Sequence, residues 1–513
     1  MTRTGRAALG VITNHASALV MAVAGFVLVP IMLRYIGRDD YGLWATVGQV
    51  LGYLALLDLG VGSAIVRRAA QLRESNDPER VNRMISTGVA LYCVFAATFM
   101  VCGLAMSVVL PRWQAIPPER SSIAVTAFVL MVTYTAVSFP LRIGINTLVG
   151  YQRMALANLL NLAASLLTIV IAVVLLRVGA GLLSLPIGTA VAGLCSGIAG
   201  MIALHAAIPK LRIRWKYVSR VEAREMFNWS WQIFLNNIAV VVIYQTDNLV
   251  VANGLGLGAV TVYTLTSRLP LYAMPLIFAL SDSCLPGAVE LCQQENRERL
   301  KSVYLRLLQV TSAAAFGSAV IAWVLNDGFM NLWVGNGNYG GSGLTLLFAV
   351  ILVTRVLNQT ASIVIISTGK LRGVVFMSIA EALLNLGLSL WLVRSYGILG
   401  VAVGTVAAGF LTSNWYVIRV VCTELRLNLL TYLLRGPGPA LLAGAATAAL
   451  AMAVIQGFPV TTWVRLFGTA AMTGIGYLCI YAMIGLRVSE VRQIFSQINT
   501  TRRNIKNRLQ EAF

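Results

Sequence analysis

The sequence predicts an all-α polytopic membrane protein with about fourteen transmembrane helices. Its 513 residues are 58% hydrophobic and only 11% charged, whereas a soluble domain carries about 25% charged residues. Apolar blocks of about 20 residues recur along the chain, which is the length that crosses a hydrocarbon core of roughly 30 Å. A transmembrane β-barrel would instead show alternating segments of about 10 residues.

The apolar blocks define the predicted spans in chain order. They cover about residues 10–33, 42–66, 85–110, 121–149, 154–176, 183–207, 229–252, 258–288, 303–325, 343–366, 374–393, 397–418, 438–457 and 463–485. The first block is too long for a cleavable signal peptide and continues into a membrane span. Most connections between spans are short, so no sizeable soluble domain is expected.

The longest internal connection separates six spans from six more. We therefore predict five regions: an N-terminal lobe over 1–208, a cytoplasmic inter-lobe loop over 209–228, a C-terminal lobe over 229–420, two additional helices over 421–486, and a basic cytoplasmic tail over 487–513. We expect the tail to form a helix on the surface of the inner leaflet.

The basic residues orient the chain. With the N-terminus in the cytoplasm, 29 of the 39 lysines and arginines lie in cytoplasmic segments, seven in outer segments and three inside spans. This bias follows the positive-inside rule and predicts that both termini are cytoplasmic. Arg67 and Arg68 are interpreted as part of the inner basic band. The formal net charge of +20 is thereby explained by topology and lipid contact, and nucleic-acid binding is not needed.

The sequence gives no sign of a cofactor or metal. Its seven cysteines are scattered and form no C-x-x-C pair, and His15 and His205 lie far apart. We interpret the cysteines as small apolar residues. No Walker A sequence is present, so transport would depend on an ion gradient, a partner or the substrate gradient.

Two segments form a weak internal repeat about 221 residues apart. Residues 28–44 read LVPIMLRYIGRDDYGLW, and residues 249–265 read LVVANGLGLGAVTVYTL. Each combines the end of a span, a glycine-containing turn and the entry to the next span. Both predicted lobes begin on the inner side, so the repeat is parallel. Such repeats are typical of alternating-access transporters, whose site lies where the repeats meet.

Three arginines lie inside predicted spans, where an ionised group costs roughly 2.5–3.5 kcal/mol on insertion scales. At about 1.5 Å per residue, Arg268 and Arg355 lie near the midplane and Arg142 about 10 Å deep. None has an obvious carboxylate three or four residues away. They indicate a cationic cavity for a phosphate-bearing anion, to which Asn236 and Asn237 add uncharged polarity. Interhelical ion pairs, or snorkelling of Arg142, are the alternative.

Four carboxylates inside spans are candidates for coupling to an ion, because desolvation can bring a carboxylate into the working pH range. They are Asp58, Asp247, Asp282 and Glu381. Each is equally compatible with a structural ion pair or hydrogen bond. Asp58 lies beside Gly60 and Gly62, which allow close helix approach, and we interpret it as a structural residue at an inner gate rather than as the coupling site.

Four stretches carry a family likeness: VPIMLRYIGRDDYGLWATVGQVLGYLALLDLGVGSAIVRR (29–68), VGYQRMALANLLN (149–161), YQTDNLVVANGLGLGAVTVYTLTSRL (244–269) and STGKLRGVVFMSIAEALLNLGLSLWLVRSYGILGVAVGT (367–405). The chain resembles the Wzx-type polysaccharide flippases of the multidrug/oligosaccharidyl-lipid/polysaccharide (MOP) superfamily, from about residue 10 to 420. Motif positions of the family correspond to Gly37, Tyr41, Gly42, Asp58, Gly60, Asp247, Gly256 and Tyr263.

The resemblance implies two pseudo-symmetric six-helix lobes of the MATE/MOP type, here with two helices added. It implies transfer of an undecaprenyl-diphosphate-linked oligosaccharide across the bacterial inner membrane for surface polysaccharide such as O-antigen or exopolysaccharide. The diphosphate and sugars would occupy the cavity while the prenyl tail stays in membrane lipid. A proton or sodium ion as coupling ion, and polysaccharide polymerase or export machinery as partners, are implied with it.

Three alternatives stay open. A lipid II flippase would share the lobes and the cationic cavity. A MATE-type exporter of cationic drugs would need an acidic or aromatic lining, against which the three arginines argue. A polyprenyl-dependent glycosyltransferase or polymerase finds its best support in Arg38-Asp39-Asp40, but the short outer loops leave no room for its substrates. We interpret Asp39 and Asp40 as a solvated turn that begins the second span.

Overall fold

The computed structural model describes residues 3–58, 60–73, 77–114 and 116–485, and these ranges contain α-helices and short 3-10 turns but no β-strand. The helices are α1 Arg3–Leu54, α2 Val61–Leu72, α3 Pro78–Trp113, α4 Pro118–Gly150, α5 Met154–Arg177, α6 Ser184–Ala207, α7 Arg220–Leu255, α8 Leu257–Gln293, α9 Arg297–Val334, α10 Ser342–Thr368, α11 Leu371–Leu411, α12 Ser413–Glu424, α13 Leu429–Arg435, α14 Pro437–Gly457 and α15 Trp463–Gly485. The basic tail over 487–513 lies outside the described residues.

The helices identify the chain as a multi-pass membrane protein. Within the described ranges, ten helical stretches are long and apolar enough to cross a bilayer. The predicted all-α class is confirmed, and every predicted span except the second is helical over nearly its whole length. The count of fourteen spans stays a prediction.

Two of the long helices are each two helical pieces joined at a glycine. In α1 the break is at Gly37, with φ 78° and ψ 179°. In α11 it is at Gly397, with φ 59° and ψ −140°. A side chain rarely tolerates these positive φ values, which glycine adopts without steric cost. The first and second predicted spans, and likewise the eleventh and twelfth, are therefore joined by a single-residue turn.

The predicted second span is not one continuous helix, which corrects the sequence analysis. Its helical path passes through a 3-10 turn at Ala55–Asp58 and resumes at Val61. Gly60 has φ 76°, in the left-handed region, and ends the break as the N-cap of α2. Asp58 lies in this break, and its side chain falls outside the part of the structure that is described.

The predicted inter-lobe loop is shorter than expected, because α7 already begins at Arg220, with the Ser219 hydroxyl as its N-cap acceptor. The preceding segment is docked on α3. Three α3 side chains accept hydrogen bonds of 2.8–3.2 Å from backbone N–H groups of Arg212, Arg214 and Ser219. The acceptors are Asn82, Ser86 and Thr87. The segment is thus bound to the helical body along most of its length.

The chain divides into two compact units. Unit 1 comprises residues 1–264 and 378–408, and unit 2 comprises residues 265–377 and 409–513. Unit 1 has one continuous apolar core in which Ile65, Met84, Phe99 and Phe139 are fully buried. The six-helix lobe boundaries of the sequence analysis stay predictions.

The two C-terminal helices α14 and α15 belong to unit 2, where they pack on α9. Tyr477 and Tyr481 of α15 stack with ring centroids 6.1 Å apart and are buried with Ala440 and Ala443 of α14. A Cβ atom on Gly317 of α9 would lie 2.9 Å from the Tyr477 ring, so glycine permits this close approach.

Candidate functional site

Asp247 is the centre of a buried hydrogen-bond network in unit 1. Its carboxylate accepts a 2.8 Å bond from the Tyr263 hydroxyl, a 3.0 Å bond from the Thr405 hydroxyl and a 3.4 Å bond from the Asn385 amide. The three donors come from α8 and from the two pieces of α11, whereas Asp247 lies on α7. The carboxylate therefore joins four helical segments through its acceptor oxygens.

The network extends along α11. The Ser389 hydroxyl donates to Asn385 Oδ1 at 3.1 Å, and the Thr405 hydroxyl oxygen lies 3.0 Å from the same Asn385 oxygen. Glu381, one helical turn before Asn385, is 1% exposed and also takes part in an interaction. The helical i, i+4 spacing places Glu381, Asn385 and Ser389 on one polar face of an otherwise apolar helix. We call Asp247, Tyr263, Asn385, Ser389 and Thr405 the Asp247 network.

The turns of the two sequence repeats interlock in unit 1. Gly37 has φ 78° and ψ 179°, and Gly256 has φ 88° and ψ 171°, so the two turns share one backbone conformation. The Arg38 guanidinium donates to the Gly258 carbonyl at 3.0 Å, and the Thr261 hydroxyl donates to the Arg38 carbonyl at 2.6 Å. The repeat seen in the sequence is therefore a direct contact in space.

The acidic pair beside this contact, Asp39 and Asp40, was predicted to be a solvated turn. In the structure both carboxylates form ion pairs. Arg120 lies 2.6 Å from Asp39 and 3.2 Å from Asp40. Burial raises the pKa of the Asp40 carboxyl, Arg120 lowers it in part, and Asp39 raises it again. The pair forms a structural ion-pair cluster with the N-terminal turn of α4.

Arg68 is more than a topology marker. Its guanidinium forms a bidentate ion pair with Glu222, with N–O distances of 3.0 and 2.8 Å, and lies 3.1 Å from Glu225. The hydrogen bonds to Glu222 raise the pKa of the Arg68 guanidinium above its usual value. A cavity of about 410 Å³ adjoins this pair and is lined partly by Arg67 and Gln71. Arg68 thus ties α2 to the start of α7.

Two of the three deep arginines, Arg142 and Arg268, contact an aromatic residue on their own helix. Arg142 on α4 has its guanidinium carbon 4.7 Å from the ring centroid of Phe139. Arg268 on α8 donates to the Tyr272 hydroxyl at 2.9 Å and lies 5.7 Å from that ring. Arg355 lies on α10 and is partly buried. Arg142 belongs to unit 1, and the other two belong to unit 2.

The remaining predicted site residues are placed separately. Asp282 is exposed in unit 2 and accepts a 2.8 Å hydrogen bond from the Gln359 amide. Asn236 and Asn237 lie within α7, and their side chains fall outside the part of the structure that is described. Of the predicted site residues, Asp247 and Glu381 lie near each other in unit 1, because Asn385, which bonds to Asp247, is one helical turn after Glu381.

The sequence comparisons identify the family. A family model described as "Polysaccharide biosynthesis protein" matches residues 8–286, more than half of the chain. The chain belongs to this family. Its curated relatives include a protein from Yersinia pseudotuberculosis named for O-antigen export, 20% identical over 78% of this chain and 92% of its own length. Another, from Salmonella typhi, is named for O-antigen transport and is 21% identical over 79% of this chain and 93% of its own length.

Solved structures show that this member of the polysaccharide biosynthesis family has the MOP fold. The lipid II flippase MurJ in an inward closed conformation matches with a TM-score of 0.70 at 15% identity, over 92% of this chain and 98% of its own. An inward-facing MATE-family multidrug resistance transporter of the MOP superfamily matches with a TM-score of 0.65 at 14% identity, over 81% of this chain and 99% of its own. The predicted family resemblance and fold are confirmed.

The polar residues that sequence reasoning missed in this family member lie in apolar or turn contexts. Thr405 is a single threonine in a Gly/Ala/Val run, and Tyr53 forms a hydrogen bond with Thr246 next to Asp247. A lone hydroxyl in a span is a weak signal, because serine and threonine also bond to their own helix backbone. Tyr263 carried a signal, since it occupies a motif position.

Proposed function

We propose that the protein is a flippase that moves an undecaprenyl-diphosphate-linked oligosaccharide between the leaflets of the bacterial inner membrane for surface polysaccharide synthesis. The observation that carries the proposal is membership of the polysaccharide biosynthesis family, with relatives named for O-antigen export and transport aligned over nine-tenths of their lengths. Both termini would be cytoplasmic, as the 29 basic residues on that side indicate. A transporter, not an enzyme, fits this evidence.

In the proposed mechanism, the arginines bind the diphosphate while the prenyl tail remains in lipid. The proposed substrate-binding residues of this alternating-access cycle are Arg268, Arg355, Arg142, Asn236 and Asn237. A guanidinium stays protonated and matches phosphate oxygens with its planar fork. The stacking of Arg142 on Phe139 and the bond from Arg268 to Tyr272 support this role, because an aromatic neighbour orients a guanidinium group.

We assign ion coupling to Glu381 or Asp282 in preference to Asp247. Asp247 already accepts three hydrogen bonds from three other helical segments, which is the arrangement of a structural acceptor. Glu381 is buried and adjoins that network, whereas Asp282 has one described partner, Gln359. Whether a proton or sodium ion moves is decided by substrate-dependent flux in proteoliposomes.

The proposal is tested by complementation of two strains, one lacking a Wzx-type flippase and the other depleted of its lipid II flippase. We expect the protein to restore surface polysaccharide in the first strain and not to restore growth in the second. An empty vector and a frame-shifted copy of the gene serve as controls. Rescue of the second strain alone would contradict the proposal and assign the lipid II substrate instead.

The cationic cavity is tested by Arg268→Ala and Arg355→Ala in the same strain. We expect each to lower surface polysaccharide about tenfold or more, because a charge-assisted hydrogen bond contributes about 1.5–3 kcal/mol. Protein in the membrane should remain at the wild-type amount. Arg177→Ala, at the exposed end of α5, is the matched control. Normal polysaccharide in both deep variants would show that the arginines do not bind substrate.

A further inference from the structure

Unit 1 contains a cavity of about 490 Å³ whose described lining includes none of the predicted site residues. Its walls come from α1, α3, α7 and α11, and most of them are aliphatic. The lining residues are Val50, Tyr53, Leu54, Met106, Trp113, Gln114, Thr246, Leu249, Val250, Asn253, Leu386 and Leu390. Both the volume and the mainly apolar wall with a few polar groups are those of a small-ligand site.

Gln114 is a lining residue of this cavity whose buried amide has no described partner. It follows the last turn of α3, its side chain is 1% exposed, and neither Nε2 nor Oε1 has a hydrogen-bond partner in the described structure. Leaving a buried amide unpaired costs about 1–3 kcal/mol, and buried polar groups are nearly always paired. Because Gln114 lines the cavity, a rotation of its amide into the cavity would let a ligand supply the missing donor and acceptor.

The other polar residues of the cavity wall each have a described hydrogen bond. The Asn253 amide donates to the Trp113 carbonyl, and the Tyr53 and Thr246 hydroxyls share a hydrogen bond. Trp113 lines the cavity and is 41% exposed, so it offers an aromatic side chain there. None of the described lining residues is charged. The cavity therefore suits a neutral ligand that needs one amide-like contact and one aromatic surface.

We propose that this cavity binds a neutral sugar bearing an acetamido group, as part of the lipid-linked oligosaccharide. This inference rests on the proposed function. An acetamido group offers one N–H donor and one C=O acceptor to the Gln114 amide, and its methyl group fits the aliphatic wall formed by residues such as Leu54 and Met106. The sugar ring presents C–H groups to Trp113, whose face attracts them.

Other parts of such a substrate fit the cavity less well. A diphosphate would be buried without a countercharge, at a prohibitive desolvation cost. A prenyl or acyl chain would fill the volume but leave the Gln114 amide unpaired. A sugar with a hydroxyl group in place of the acetamido group would offer the Gln114 amide a polar partner but no methyl group for the aliphatic wall. The acetamido sugar satisfies both the polar and the apolar groups of the cavity.

The test compares two probes in proteoliposomes, polyprenyl-diphosphate N-acetylglucosamine and polyprenyl-diphosphate glucose, which differ only at the acetamido position. We expect the wild-type protein to flip the acetamido probe about tenfold faster, since about 1.4 kcal/mol corresponds to a factor of ten. Gln114→Leu should abolish this preference by slowing the acetamido probe toward the rate of the glucose probe. Gln49→Leu is the matched control, because Gln49 also has a buried unpaired oxygen but does not line the cavity.

A binding measurement separates this inference from the proposed function. In ligand-observed NMR with soluble N,N′-diacetylchitobiose, the acetamido methyl protons should receive saturation from the wild-type protein and not from Gln114→Leu. Flipping without probe preference and without methyl contact would overturn the sugar site alone. Methyl contact without any flipping would overturn the proposed function alone. Preference retained by Gln114→Leu, or acyl chains that displace chitobiose from the wild-type protein, would assign the cavity to another ligand.

Discussion

Gly42→Ala is expected to destabilise the protein and to abolish polysaccharide export. A Cβ atom at this position would collide with the Leu257 backbone carbonyl and lie 2.9 Å from the Thr261 hydroxyl. Because the obstacle is backbone, it cannot rotate away as the end of a side chain could. Overpacking of this kind costs about 1–3 kcal/mol, and here it also separates the interlocked turns of the two repeats. The measurement is the apparent unfolding midpoint of the detergent-purified protein, together with surface polysaccharide.

Gly48→Ala provides the control on the same helix. A Cβ atom on Gly48 meets nothing within 4 Å, and replacing glycine by alanine inside a helix stabilises it by up to about 1 kcal/mol. The two substitutions are chemically identical, yet we expect their unfolding midpoints to shift in opposite directions. Equal behaviour of the two variants would show that the repeat turns are not in close contact in the membrane.

Asp247→Leu is expected to have the other large effect. The substitution leaves the Tyr263, Thr405 and Asn385 donors without their shared acceptor, and each unpaired buried donor costs about 1–3 kcal/mol. Part of this free energy is recovered because the Thr405 hydroxyl can donate to Asn385 Oδ1 instead. We therefore expect a net loss of about 2–4 kcal/mol and little protein in the membrane, measured as yield and unfolding midpoint.

Asp247→Asn separates structure from coupling at the same position. The asparagine oxygen still accepts from Tyr263 or Thr405, so we expect most of the stability and of the export to remain. A stable Asp247→Asn protein that exports nothing would instead make the charge itself essential and return Asp247 to the coupling candidates. Asp327→Leu is the control for the loss of an aspartate, since Asp327 is exposed on α9 and accepts only from Asn331 among the bonds described.

The class, the family and most helices of this protein are predictable from its sequence because a hydrocarbon core imposes length and apolarity on every span. The turns at Gly37 and Gly397 lie where the sequence places the connections between the first and second spans and between the eleventh and twelfth. That each connection is a single glycine is not predictable, since a glycine inside a helix and a glycine in a turn look alike in sequence. Only the backbone conformation shows the positive φ values at these two positions.

The candidate site was only partly predictable, for a related reason. Buried ionisable residues such as Asp247 and Arg268 are conspicuous in an apolar span, but their partners are set by packing between helices that are distant in sequence. Asp247 lies 138 residues from Asn385 and 158 from Thr405. Gln114 gave no signal at all, because a glutamine after the end of a span resembles any solvated loop residue.

The docked segment before α7 has a mechanical consequence. Its backbone N–H groups are attached to Asn82, Ser86 and Thr87, and Arg68 fastens the first turn of α7 a few residues later. The start of α7 is therefore an anchored end, and its opposite end is held as well, by the bonds to Asp247 and by the bond from Asn253 to the Trp113 carbonyl. Any tilting of α7 during a transport cycle would therefore carry its partners in unit 1 with it, rather than displace one end of the helix alone.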